Sequence, residues 1–325
     1  MLRDILSMDD PQIASVTAII ATVQPDVLVL TDFDYDATNA ALRTFSESLS
    51  VPYPYIFSAA PNSGDMTSLD LDGDGRRGDA RDAMGYGRFF GDGGIAVLSR
   101  LPLGTADTGL TNLLWQDLPG ATLPNIDGAP FPSQDAQAGW KLSSTAHWQV
   151  PVLIGANEFT LLISSSTPPV FDGPEDANGL RNRDELRVWT QVLDGAFGPP
   201  PALPIFVGNT NLDPFDGDGY RDAMAAFLAR PDLQDPQPAS AGALALADSD
   251  QRGPPALDTA SWPDGPGNLR VSYVLPSTKL TVLDAGTFWP APGTPQAALL
   301  GQGESSIGPH RLVWVDIALP ANRLP

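Results

Sequence analysis

The 325 residues contain no cysteine, which excludes disulfides, thiolate metal sites and cysteine nucleophiles together. Histidine is nearly absent as well. His147 and His310 are the only two, so a mechanism that needs two imidazoles must draw both into one site. Basic residues are scarce, with 18 Lys and Arg against 39 Asp and Glu, for a formal charge of −21. A surface of that sign repels nucleic acid at long range, and no Lys/Arg stripe offsets it, so duplex DNA is the least favoured partner. Solubility where salt or calcium is abundant accounts for the acidity without any specific partner. Residues 1–10 have no apolar leader-like core and no run reaches membrane-spanning length, so the chain as given reads as soluble, with no membrane span and no signal peptide.

What is present suits an α/β protein with a sizeable core, since 42% of the residues are hydrophobic. The 31 Gly and 33 Pro call for many loops. Asp10-Pro11 opens a helix, with Asp as cap and Pro in the first turn, and Ile13, Val16, Ile19, Ile20 and Val23 then share one face. Pro25 ends it. Residues 27–30 read as a buried strand, being apolar without alternation. A helix over 37–49 follows, then mostly loop through 51–92. Strand-like runs come at 95–99, 147–152, 159–163, 205–207, 271–275, 280–283 and 312–317, with helices at 183–193 and 221–229. Pro/Gly-rich stretches at 119–136, 195–204 and 231–268 are surface excursions rather than linkers, and no repeat occurs. The order predicts an α/β (α+β) fold in one domain over residues 1–325: two packed mixed β-sheets flanked by helices.

Several polar residues fall at strand ends, where adjacent chains converge. Asp32 follows the first strand, with Asp34 and Asp36 at period-two spacing; a turn accounts equally well for Asp34, and an N-cap accounts better for Asp36. Residues 70–75 (Asp-Leu-Asp-Gly-Asp-Gly) place carboxylates at positions 1, 3 and 5 of a calcium-type loop, with Gly at position 6. The twelfth position is Arg81 rather than Glu, leaving Asp79 or Asp82 to complete the set. Asp213, Asp216, Asp218 and Asp222 form a looser acidic group. His147, beside Trp148, reads as a packed, hydrogen-bonded residue.

Residues 161–169 (Leu-Leu-Ile-Ser-Ser-Ser-Thr-Pro-Pro), 206–214 (Phe-Val-Gly-Asn-Thr-Asn-Leu-Asp-Pro) and 309–316 (Pro-His-Arg-Leu-Val-Trp-Val-Asp), together with 27–34, 94–100 and 269–275, resemble the endonuclease/exonuclease/phosphatase superfamily, the DNase I-like fold. Residues 178–185 (Asn-Gly-Leu-Arg-Asn-Arg-Asp-Glu) resemble a stretch of its bacterial members. The resemblance implies a four-layer sandwich and an extracellular or periplasmic setting. It also implies a site in which a carboxylate holds a divalent metal, an Asp/Asn pair positions water, and two His act on the phosphoryl group. At those places this chain departs from the pattern. Asp32 stands for Glu, Ser165 or Ser166 for the first His, Asn209 for Asp beside a retained Asn211, and Ser272 for the Asp that orients the final His, here His310. The family's first strand, ending in Asn, has no counterpart in the given residues. Arg181 and Arg183 are the natural phosphate contacts. If each exchange costs ~2–3 kcal/mol of transition-state stabilisation, ordinary activity is lost.

Three functions stay open at this point. One is a catalytically impaired or inactive phosphoesterase-fold protein that binds a metal, a phosphate-bearing small ligand or a partner protein. Another is an active divalent-metal hydrolase with a rearranged site built on Asp32, Asn211 and His310, with the Asp34 and Asp36 carboxylates open to it. The third is a structural subunit. The expected cofactors are Mg²⁺ or Mn²⁺ in the cleft and Ca²⁺ in the Asp-Gly loops, with no organic cofactor.

Overall fold

The computed structural model describes residues 1–7, 9–303 and 306–318. Its first elements are α1 (Leu2–Ser7), α2 (Pro11–Val23), β1 (Val27–Thr31), α3 (Ala40–Ser48), β2 (Tyr55–Phe57) and β3 (Ile95–Ser99). β4 (Asn125–Ile126), β5 (Ala129–Pro130), α4 (Gln134–Gly139), β6 (His147–Ile154), β7 (Asn157–Ser165), α5 (Ala177–Leu193) and β8 (Pro204–Asn209) follow. Last come α6 (Arg221–Leu228), α7 (Ala241–Ala245), β9 (Ala260–Trp262), β10 (Gly267–Leu269), β11 (Ser272–Pro276), β12 (Thr281–Thr287) and β13 (Val313–Ala318).

Local chemistry sets the boundaries. α2 starts at Pro11 because the Asp10 carboxylate accepts the Gln12 and Ile13 N–H groups at 2.9 and 3.0 Å. α3 begins three residues later than the 37–49 expected from the pattern. Asp36 holds the intervening turn, accepting the N–H groups of Thr38, Ala40 and Ala41. α5 begins six residues earlier than expected, at Ala177, where buried polar side chains (Arg181, Asn182) interrupt the apolar stripe of Ala177 and Leu180.

β1-β3-β2 form an antiparallel sheet, and β11-β8-β7-β6 form a mixed one in which only β7 and β8 run parallel. The first sheet is thus antiparallel rather than mixed as expected. The two sheets face each other through Ile95 and Val97 on one side and Val150, Leu161, Ile163 and Ile205 on the other. Ala96 and Leu98, the alternate residues of β3, point the opposite way and pack with Ile5, Ile20, Leu42 and Phe45 of α1, α2 and α3. The outer face of the second sheet (Leu162, Phe206, Tyr273) packs on Trp189 and Val192 of α5 and on Met224 and Phe227 of α6. Helices, sheet, sheet, helices is the expected four-layer order. Both sheets are covered on two faces, which is why their strands read as unbroken apolar runs.

Among the edge strands of the described residues, two border one space. β1 pairs only with β3, and β13 pairs only with β12. Among the described residues no strand lies beyond the outer edge of β1, where the resemblance calls for a first strand. A cavity of about 850 Å³ borders both open edges.

Candidate functional site

The ends of β7, β8 and β11 bring three of the candidate positions into one row. Ser165 pairs with Asn209 across the parallel β7–β8 ladder, and Asn209 pairs with Ser272 across the antiparallel β8–β11 ladder. Thr31, Asn209, Ser272 and His310 border the same cavity, so the strand-end segments do converge.

The asparagines satisfy each other. Asn209 Nδ2 donates to Asn211 Oδ1 at 3.1 Å, and the Asn211 N–H donates back to Asn209 Oδ1 at 3.1 Å. Asn211 Nδ2 also donates to the Ser166 carbonyl at 2.7 Å, locking the β7 and β8 ends together. Asn211 sits in the left-handed region at φ 51°, which asparagine tolerates better than most side chains.

His310 Nδ1 and Ser272 Oγ lie 3.4 Å apart. That is a long contact, and a hydroxyl brings no charge to it. The imidazole is half-buried, with the Trp262 ring edge-on at 5.3 Å. Burial, followed by the neighbouring Arg311 charge, lowers its pKa to about 4. His310 is therefore neutral at pH 7. The unfolded chain, with an imidazole pKa of 6.5, takes up the proton before the folded one does. The resulting stability is full above pH 6.5 and is lost as pH falls towards 4. His310→Gln is expected to remove about 3 kcal/mol of the stability lost over that interval, read as a flatter urea-midpoint profile from pH 7 to pH 4. Asp258, raised by burial to about 7, acts in the opposite sense, so the difference between the variant and the parent carries the result.

Asp32 holds a left-handed backbone at φ 63° with its carboxylate against Gly93. Gly93 has φ 62°, and a Cβ there would come within 2.7 Å of Asp32 Oδ1, so a side chain at 93 would be strained and would displace the carboxylate. Surrounding protein, then the Asp34 and Asp92 charges, raise the Asp32 pKa, while Arg88 opposes them. Asp34 is tied to the same loop, accepting the Gly93 N–H at 3.3 Å. Asp36 is a helix cap and not part of the site. Arg88 and Asp92 escaped the sequence reading. They pair with each other at 3.3 Å, and the Asp92-Gly-Gly turn was the only signal.

Arg181 is not available to a phosphate, contrary to expectation. It is buried, donates to the carbonyls of Leu142, Met84, Lys141 and Ser143, and lies over the Trp140 ring. Burial lowers even this guanidinium, to about 10. Arg183 is engaged as well, over Tyr220 and beside Asp184. Glu185, just below Arg181, accepts the Ser144 N–H and Oγ–H and the Thr167 N–H. His147 completes this buried network through Ser143 Oγ at 2.7 Å and the Glu185 carbonyl at 2.9 Å. It is the packed residue expected from the sequence.

Asp70, Asp72 and Asp74 each offer a carboxylate oxygen, all within 4.8 Å of one another. Burial, with the nearby Asp74 charge opposing a backbone hydrogen bond, raises Asp72. Asp79 stays outside this group, and Asp82 is committed to the Leu71 and Gly78 N–H groups. The second acidic stretch is not gathered among the described residues. Asp213 accepts from Phe215, Asp216 and Arg270 N–H groups, Asp216 from Arg252 and Gly253, and Asp218 joins neither. These carboxylates stabilise turns.

The sequence matches the model of the Endonuclease/Exonuclease/phosphatase family over residues 6–305. An endonuclease/exonuclease/phosphatase from Beutenbergia cavernae DSM 12333 superposes with TM-score 0.53 at 15% identity, over 96% of this chain and 66% of that one. This chain thus spans just under two thirds of that protein. A family protein from Leptotrichia buccalis C-1013-b gives TM-score 0.51 at 13% identity, over 95% and 93% of the two chains. D. rerio TDP2, solved with a single-strand DNA product, gives 0.50 at 12% identity, over 95% and 92%. Likenesses this remote show the fold alone. No curated protein matches the sequence.

Proposed function

The chain belongs to the endonuclease/exonuclease/phosphatase family, and on that premise we propose that it is a member without ordinary phosphoesterase turnover, whose cleft binds a divalent cation and a phosphate-bearing small ligand. The observation that carries this reading is the row Ser165–Asn209–Ser272 beside a His310 that meets a hydroxyl where a carboxylate would be needed. A general base works best with a pKa near the operating pH, and His310 lies well below it, at about 4. Nothing charged in the row can fix its tautomer or stabilise an imidazolium.

Cation binding draws on what remains. Burial, and after it the charges of Asp34 and Asp92, raise the Asp32 pKa, and the repulsion among these carboxylates is what a Mg²⁺ or Mn²⁺ would relieve. Asn209 and Asn211 fit less well, since their side-chain oxygens already accept hydrogen bonds. A bound metal would neutralise phosphoryl oxygens. The test is hydrolysis of bis(4-nitrophenyl) phosphate with Mg²⁺, Mn²⁺ or Ca²⁺. The native chain is expected to give no metal-dependent rate. Turnover lost both with EDTA and in His310→Ala would overturn the reading in favour of a rearranged active site.

The Asp70–Asp72–Asp74 group is the second cation candidate, of calcium type. Ca²⁺ is expected to raise the melting temperature in calorimetry, and Asp72→Asn to lower the affinity ~10-fold or more. An unchanged melting temperature at millimolar Ca²⁺ would reduce the group to an acidic turn.

A further inference from the structure

Residues 246–258 lead from α7 to β9 and are fastened to the body largely by carboxylates. Asp216 accepts the Arg252 and Gly253 N–H groups at 3.0 and 2.8 Å. Asp248 accepts the Asn268 N–H at 2.7 Å, and the Asn268 amide donates to the Leu246 carbonyl at 2.6 Å. One side-chain contact closes the segment on itself: Gln251 Nε2 donates to Asp258 Oδ2 at 2.6 Å. Asp258 is only 1% exposed, and Gln251 Oε1 is buried with no hydrogen-bond partner.

That pair favours a neutral Asp258. A carboxylate can only accept from the Gln251 amide, whereas a carboxyl can also donate to it once the amide is turned. A separation of 2.6 Å suits O–H···O better than N–H···O, and turning the amide gives the orphaned Oε1 a partner. The surroundings act in the same sense. Burial, and after it the charges of Asp213, Asp216 and Asp248, push the Asp258 pKa up to about 7 against the Gln251 hydrogen bond. The cations of the neighbouring segments are engaged elsewhere. Arg270 pairs with Asp235, Arg311 donates to the Gly308, Pro309 and His310 carbonyls, and Arg252 is exposed. Tyr273 and His310 are neutral at pH 7.

The residue after Asp258 anchors one corner of the cleft. Thr259 Oγ1 accepts the Val271 and Ser272 N–H groups at 2.9 and 3.0 Å, and its carbonyl accepts the Arg311 N–H at 2.8 Å. Ala260 bridges to His310. We propose that residues 246–258 are a pH-operated strap, fastened through Gln251 while Asp258 keeps its proton and released when Asp258 loses it, and that release loosens the Thr259 anchor of Ser272 and His310. An exposed Asp, as in the released strap, has the ordinary pKa of 3.8. Fastening is therefore fully favoured below that pH, and the advantage is lost as pH rises to about 7. Any effect on a bound ligand rests on the reading of the cleft given above; the release itself does not.

The test is amide hydrogen exchange of the full chain at pH 5, 6, 7 and 8, corrected for the intrinsic rate, with no ligand added. Protection of the Arg252, Gly253, Val271 and Ser272 amides is expected to fall at least ~10-fold between pH 5 and pH 7 and then to level off. Val97, in the central strand of the first sheet, is the reference and is expected to stay protected. Asp258→Asn, which keeps the shape of the neutral acid, is expected to hold all four amides protected throughout. Gln251→Ala is expected to leave Arg252 and Gly253 weakly protected even at pH 5. Constant protection from pH 5 to pH 7, or an unchanged fall in Asp258→Asn, would overturn the proposal. A fall confined to Arg252 and Gly253 would overturn it too, since the cleft corner would then be independent of the strap. Because no ligand is present, a cleft that binds nothing leaves each of these outcomes intact.

Discussion

Restoring three side chains, Ser165→His, Asn209→Asp and Ser272→Asp, is expected to give metal-dependent hydrolysis of bis(4-nitrophenyl) phosphate at least ~100-fold above the native chain. The argument is geometric. All three positions lie in one row across β7, β8 and β11, so the new groups enter a common space. Ser272→Asp acts first, because its carboxylate would face His310 Nδ1, now 3.4 Å from a hydroxyl. An opposite charge at that distance raises an imidazole pKa and fixes its tautomer. Ser272→Asp alone should therefore move the His310 titration, followed by NMR, up from about 4. Asn209→Asp replaces the amide that donates to Asn211 while keeping an oxygen for the Asn211 N–H. Groups that act as a unit are not additive, so single restorations should yield little turnover and the triple much more. A folded triple variant with no turnover, but with the expected shift of His310, would mean that further parts of the machinery are missing.

Arg181→Met is expected to cost about 3–5 kcal/mol of folding stability. The guanidinium is buried and donates to the carbonyls of Leu142, Met84, Lys141 and Ser143, while its charge favours the ionised form of Glu185. Methionine fills the volume but leaves those acceptors without a donor and the carboxylate without its counter-charge. Urea unfolding checks this, with the exposed Arg76→Met as a control expected to change stability by less than ~0.5 kcal/mol. A small effect at Arg181 would show that water or neighbouring donors replace it.

These residues also show what the sequence could and could not disclose. β1 and β3 were legible because strands covered on both faces are apolar throughout, and Asp10-Pro11 announced its helix through the cap. The start of α5 was not, because Arg181, Asn182, Asp184 and Glu185 are polar yet buried, which erases the helical hydrophobic stripe. For the same reason Arg181 looked like a phosphate contact: pattern gives its charge but not the carbonyls that absorb it. The row Ser165–Asn209–Ser272 was legible as three motif departures, while its register came only from the sheet. Asp92 and Arg88 went unseen beside Asp32, since about sixty residues separate them and no periodicity links such distant positions.

The open edges of β1 and β13 also bear on how the protein behaves at high concentration. An unpaired strand at the rim of a sheet can recruit another, and that one a third, so association propagates into fibres. Two edges that border one cavity differ from such a rim in one respect. A strand that pairs with both at once leaves no fresh edge behind, so association through this face would stop at a single added strand.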